Sequence, residues 1–210
     1  MKKYIKFANH LCRLRSGNTF FTLGYPRSGT TMLSELISML TFYNFDRNNV
    51  FYNSAPRILH THWLREVDHQ RSIYIIRNPR EVALSVRRFA DVRGLSVNIG
   101  EDLQSKTICS ASWINHVDYF RLRGYLLVDY TCLLNDDAYT VGLIASHLNV
   151  PESFVLECLR VMRSRHSYVV DRVDENLYRL KSSAPEAYSK FNIKLEEKFY
   201  EKFLDEYRNK

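Results

Sequence analysis

One stretch constrains this chain more than any other: the apolar run Thr19-Phe20-Phe21-Thr22-Leu23, then "GYPRSGTT" at residues 24 to 31, then the helix-forming Met32-Leu33-Ser34-Glu35-Leu36-Ile37. A short buried strand, a tight glycine loop and a helix in immediate succession make a phosphate-binding corner. Gly24 and Gly29 keep the spacing of the pattern G-x-x-x-x-G-K-[ST], but Thr30 stands where that pattern has its lysine. Backbone N–H groups at the start of a helix, together with its dipole, favour an anion. Ser28, Thr30 and Thr31 add hydroxyl donors and Arg27 adds a permanent charge. A plain strand-turn-helix corner would also use glycine for positive φ. It does not account for the added Arg-Ser and Thr-Thr. Loops of the ordinary pattern place lysine on the outer phosphates of a nucleotide, so Thr30 disfavours ATP or GTP.

The rest of the composition narrows the setting. The 210 residues suffice for one domain with a real core. At 45% hydrophobic and 25% charged, the chain is ordinary globular protein. A formal net charge of +7 favours an anionic partner without saying which. Cys12, Cys109, Cys132 and Cys158 are scattered, with no C-x-x-C pair, as in a reducing compartment. The basic start Met1-Lys2-Lys3 has no apolar run behind it, and no segment has the length to span a bilayer. A cytoplasmic protein without a membrane span is expected.

Apolar runs of strand length alternate with helix-period stretches. Strands are expected at Thr19 to Leu23, Arg57 to Thr61, Ser72 to Ile76 and Tyr125 to Asp129. Helices are expected from Ser28 to about Tyr43, Arg80 to about Asp91, Asp102 to about Arg121, Asp136 to Leu148 and Glu152 to Arg163. Near the end Leu195, Phe199, Phe203 and Tyr207 recur every four residues, one face of an amphipathic helix. Asp46 to Ala55, Leu95 to Glu101 and Val170 to Pro185 read as loops. The rhythm predicts an α/β fold of three layers, P-loop-type, with a mostly parallel central sheet of about four to five strands and a helical C-terminal part. Residues 1–210 form one domain in this reading, with an α/β core over 19–134 and a helical extension over 151–210. Open parallel sheets bind ligands outside the carboxyl ends of their strands. Those ends carry the Gly24–Thr31 loop, His62, Arg77 and Tyr130, so an anion cradle, a titratable base, a fixed cation and an aromatic converge on one edge.

These residues carry a family resemblance. "GYPRSGTTML" resembles the 5′-phosphosulfate loop of sulfotransferases that use 3′-phosphoadenylyl sulfate (PAPS). "RILHTHWL", residues 57 to 64, resembles the family's strand ending in Thr-His, whose histidine is the catalytic base. "YIIRNPREVALSV", residues 74 to 86, is similar to its 3′-phosphate segment. "SWINHVDYF" and "YLLVDY", residues 112 to 120 and 125 to 130, match its next helix and strand. The resemblance runs in register from about Thr19 to Leu134. It implies a PAPS-dependent sulfotransferase that transfers a sulfuryl group to a hydroxyl or amine and releases 3′,5′-adenosine bisphosphate (PAP), without a metal. It further implies His62 as general base and Arg27 on the departing 5′-phosphate. Arg27, Ser28, Gly29, Thr30 and Thr31 would hold the phosphosulfate, Arg77 and Ser85 the 3′-phosphate, and Tyr130 the adenine.

The residues agree with that resemblance on physical grounds. Arg77 leaves a strand just before Asn78-Pro79, a good N-cap and N1 pair, and offers a rigid fork to a phosphate. Ser85 in the second helical turn reaches the same group. Taken singly, Arg77 also fits a surface ion pair, Ser85 a packed hydroxyl, His62 a structural histidine and Tyr130 a rim aromatic. A neutral imidazole near pH 7 suits removal of a proton from an acceptor hydroxyl. His60 and His62 form a possible metal pair on one strand face, but no third ligand accompanies them. Departures from the family are Arg27 in place of a frequent lysine and Met32 in place of tryptophan. Its Arg-Lys-Gly segment has its nearest counterpart in "YRLKSSAPEAYSKF", residues 178 to 191, where Arg179, Lys181 and Ser182 stand.

A small-molecule or carbohydrate acceptor is expected, with "FYNFDRNNVFYN", residues 42 to 53, as a candidate wall and Arg87, Arg88 and Arg93 as candidate attractors of acidic groups. Two other readings stand beside this one. A P-loop nucleotide or small-molecule kinase would use Asp129, at the end of "YLLVD", for magnesium. A non-catalytic protein would bind nucleotide, or nucleic acid through its +7 charge, with strong salt dependence. No nucleic-acid-binding module is recognisable, so no nucleic-acid partner is expected.

Overall fold

β1 (Thr19–Gly24) is buried along its whole length, and β4 (Ser72–Ile76) likewise. Strands covered on both faces read as continuous apolar runs, and these two form the centre of the sheet. The computed structural model describes residues 19–45, 56–92, 109, 111–164 and 194–209. Among them, five parallel strands follow the order β2-β3-β1-β4-β5, with β2 (Asn44–Phe45) at one edge, β3 (Arg57–Thr61) next to β1, and β5 (Leu126–Asp129) at the other edge. Every pairing is parallel, from Phe45↔Ile58 through Leu23↔Thr61 and Gly24↔Ile75 to Ile76↔Asp129.

Successive strand residues point to opposite faces, and the sheet separates two cores accordingly. Phe20, Ile58, Ile73, Ile75 and Val128 face α1 (Thr30–Thr41), α5 (Ala138–Leu148) and α6 (residues 152–164). Phe21, Leu59, Tyr74, Ile76 and Leu127 face α2 (Pro79–Val92), α3 (Trp113–Arg121) and α7 (Lys194–Arg208). The expected three-layer α/β fold with a helical C-terminal part is the fold observed. The amphipathic face of the last helix buries Tyr200, Phe203 and Tyr207, and Arg80–Glu197 and Arg121–Glu206 ion pairs flank it.

Several boundaries differ from expectation for identifiable reasons. The third expected helix starts at Trp113, because Ser112 is extended and caps it by accepting the Asn115 N–H. Residues 102–108 lie outside the described residues. Asp136 takes positive φ (53°) and Asp137 caps α5, so that helix begins at Ala138. The short helix α4 (Tyr130–Leu134) follows β5 directly, because the Asp129 carboxylate accepts from the Thr131 and Cys132 amides. α2 begins as its sequence suggests. Asn78 Oδ1 accepts from the Arg80 N–H, and Pro79 is the first helical residue.

The chain leaves β1 for β2 and β3 on one side, then crosses to β4 on the other. β1 therefore marks a topological switch point, where crossovers diverge and open a crevice at the carboxyl edge.

Candidate functional site

The loop after Gly24 turns tightly: the Ser28 N–H bonds to the Tyr25 carbonyl at 3.0 Å. Arg27 (φ 70°) and Gly29 (φ 101°) both occupy left-handed conformations. At Gly24 a Cβ would lie 2.8 Å from Thr30 Cγ2 and 3.0 Å from the Ile75 carbonyl oxygen; at Gly29 it would lie 2.6 Å from Tyr130 Cδ2. The two glycines are thus needed for close approach, and Gly29 also for conformation. Gly29 is the N-cap of α1 and offers no side-chain cap, so the first amides of that helix keep their donors for another partner. Ser28 Oγ is buried and has no hydrogen-bond partner among the described residues.

Arg27, Gly29, Thr30, Thr31, His62, Arg77, Ser85 and Tyr130 all line a single cavity of about 860 Å³. Ser28, by contrast, is buried in the loop. Arg27 Nε donates to Ser85 Oγ at 3.0 Å, and its guanidinium carbon lies 5.2 Å from the centre of the Phe89 ring. Arg77 Nε donates to Glu81 Oε2 at 2.8 Å, its Nη1 reaches the Arg27 carbonyl at 3.4 Å, and its guanidinium sits 4.2 Å over the Tyr130 ring. Arg27, Arg77 and a helix N-terminus therefore border one crevice, an electropositive cradle suited to an anion with more than one phosphate-like group.

His62 follows the last residue of β3, where its ring meets the phosphate loop. Its Nδ1 lies 2.7 Å from the Gly24 carbonyl oxygen. A carbonyl only accepts, so Nδ1 carries the hydrogen, and in a neutral ring Nε2 keeps its lone pair. Burial pushes the His62 pKa down to about 4, with smaller contributions from His60 and Arg27, against the opposing pull of the Gly24 carbonyl. At neutral pH this imidazole is an unprotonated base. His60, lowered by burial as well, lines the same cavity with its ring centre 5.9 Å from that of His62. No group of three or more His, Cys, Asp or Glu with metal-binding geometry occurs among the described residues.

Asp129, the residue a kinase would direct at magnesium, is fully buried and committed elsewhere. One oxygen caps α4 and the other accepts from the Tyr200 hydroxyl. Arg179, Lys181, Ser182, Arg93 and most of the candidate acceptor wall over 42 to 53 lie outside the described residues. Of that wall, Phe42 is exposed, stacked on Phe154, while Phe45 packs edge-on against His60.

Other cavity residues carried no motif. Phe89 stands one helical turn after Ser85, a spacing that places both on one face of α2. Met162 and Arg163 come from α6, beyond the recognisable stretch, and only the folded chain brings them to the site. Arg163 is held there by Asp136 and the Leu134 carbonyl.

No protein-family model matches the sequence, and no curated protein matches it either. Solved structures do. Mouse sulfotransferase SULT7A1 complexed with PAP is 18% identical, with a TM-score of 0.57 over 75% of this chain and 69% of that one. Retinol dehydratase in complex with androsterone and inactive cofactor PAP is 16% identical, with a TM-score of 0.54 over 69% of this chain and 64% of that one. The protein shares the fold of these two PAP-complexed proteins. No described helix is long and apolar enough to cross a membrane.

Proposed function

We propose that this protein is a PAPS-dependent sulfotransferase, moving a sulfuryl group to a hydroxyl or amine of a small-molecule or carbohydrate acceptor. The observation that carries the reading is the 2.7 Å contact of His62 Nδ1 with the Gly24 carbonyl, which leaves a bare Nε2 beside an anion-binding loop. The donor set fits the nucleotide: amides of a helix start with no side-chain cap, loop hydroxyls, and Arg27 and Arg77 on one cavity. Bound there, PAPS supplies an activated sulfuryl group and, in PAP, a stable leaving group.

In this reading Thr30, Thr31 and the backbone of Ser28 and Gly29 hold the phosphosulfate. Arg77 and Ser85 hold the 3′-phosphate, and Tyr130 lies against the adenine. His62 Nε2 takes the proton from the acceptor hydroxyl as that oxygen bonds to sulfur, within general-base catalysis worth about 10²–10⁴-fold. Arg27 places charge where the sulfur–oxygen bond to the 5′-phosphate breaks. None of these roles calls for a metal.

The test is PAP release from PAPS with a panel of simple phenols, alcohols and amino sugars. His62→Ala is expected to lower turnover by about 10²-fold or more while PAP affinity holds. Turnover unchanged in His62→Ala, or no turnover with any acceptor, would contradict the reading.

A further inference from the structure

His116 is fully buried in α3 and lines no part of the cavity, yet it is hydrogen-bonded to the backbone of His62. Its Nε2 lies 3.0 Å from the His62 carbonyl oxygen, so Nε2 carries the hydrogen. Burial holds the ring neutral, its pKa lowered to about 4. Its Nδ1 therefore has a lone pair, which accepts from the Tyr74 hydroxyl at 2.9 Å.

These bonds form a chain at the end of the strands. The Gly24 carbonyl accepts from the His62 ring. Tyr74 joins His116, and His116 joins the His62 carbonyl. The β1–β3 ladder runs out at Leu23↔Thr61, one residue before His62. Where the strands part to open the crevice, side chains thus replace the ladder. The chain admits one pattern of donors, because its two carbonyls only accept and so fix the hydrogen on each histidine ring. Tyr25, Tyr74 and Phe120 enclose the His116 ring, with centres 5.4 to 5.7 Å away.

We infer that this hydrogen-bond chain positions the base, with His116 and Tyr74 as positioning residues that hold His62 against the Gly24 carbonyl of the phosphate loop. The inference rests on the proposed function for its catalytic consequence, and on geometry alone for its effect on the His62 ring.

The test uses the full chain, with His116→Leu, His116→Gln and Tyr74→Phe. Gln keeps an amide donor near the place of Nε2; Leu removes it. Ring-nitrogen NMR reports the His62 tautomer, calorimetry the PAP affinity, and PAP release from PAPS the turnover. His116→Leu is expected to lower kcat by about 10- to 100-fold, the scale of a misplacement near 1 Å, with PAP affinity within about twofold of wild type. The His62 signal should lose its single Nδ1–H tautomer. His116→Gln should recover most of both, and Tyr74→Phe should fall between. Wild-type kcat and an unaltered His62 tautomer in His116→Leu would overturn the inference, as would His116→Gln impaired as deeply as His116→Leu. Should His116→Leu fail to fold, Tyr74→Phe decides: an unchanged His62 ring overturns the inference. If the wild-type chain shows no sulfuryl transfer, the proposed function fails, and the NMR result alone decides the positioning of the His62 ring.

Discussion

Arg27 and Ser85, 58 residues apart in the chain, share a 3.0 Å hydrogen bond across the mouth of the cavity. The first belongs to the phosphate loop and the second to α2, so the two expected phosphate-binding segments are already joined to each other. The resemblance assigns Arg27 and Ser85 to opposite phosphates of one nucleotide. Binding would then exchange their mutual bond for charge-assisted bonds to the ligand, which are about twice as strong. Arg27→Ala should lower kcat by about 10²–10³-fold, the cost of one transition-state donor. Ser85→Ala should weaken PAP only a few-fold. Equal effects of the two substitutions on PAP affinity, with kcat intact, would contradict this division.

Gly29 makes a sharper prediction. A methyl group there would stand 2.6 Å from Tyr130 Cδ2 while the backbone holds φ at 101°. Gly29→Ala combines left-handed strain of about 1–3 kcal/mol with displacement of Tyr130 from beneath Arg77. Thermal unfolding should drop and PAP binding should fail together. A variant with wild-type melting temperature and affinity would show that the loop can relax.

The pH dependence of catalysis follows from His62. Burial lowers its pKa to about 4, so the base is already unprotonated at neutral pH. The kcat/KM profile should be flat from about pH 8 down to pH 6 and fall only in stronger acid. A limb with its midpoint near 6.5 would contradict the buried, desolvated setting.

Stability should show the same two histidines with a definite sign. In the folded protein His62 and His116 take protons only near pH 4, whereas in the unfolded chain they take them near 6.5. Between those values the unfolded state holds more protons, so acidification favours it. Stability is complete above about pH 6.5 and declines toward pH 4, by up to about 1.4 kcal/mol per pH unit for each histidine. Denaturant titrations at stepped pH should show this slope reduced in His116→Gln.

Much of the fold was legible because parallel strands buried on both faces leave plain apolar runs. Arg57–Thr61 and Ser72–Ile76 have the bounds their sequences suggest, and from them the carboxyl-edge position of His62 and Arg77 followed. β2 was not legible: two residues, Asn44 and Phe45, carry no periodicity, and their strand exists only through pairing with Arg57 and Ile58. α4 was hidden because its start depends on the Asp129 carboxylate turning back on two amides. Within the site, loop glycines and strand-end residues announced themselves by spacing. The hydrogen bonds of His116 did not, since Tyr74 and the His62 carbonyl are brought to it by α3 packing across β4. Phe89 was within reach of a helical-face argument from Ser85.

The central claim, that the loop and Arg77 hold an adenosine 3′,5′-bisphosphate end, is tested most directly by calorimetric titration. PAP and ATP would each be titrated, with and without magnesium, into wild type and Arg77→Ala. Tight, magnesium-independent binding of PAP, weakened at least tenfold by Arg77→Ala, is the predicted result. Preference for ATP with magnesium, or PAP binding indifferent to Arg77, would contradict it.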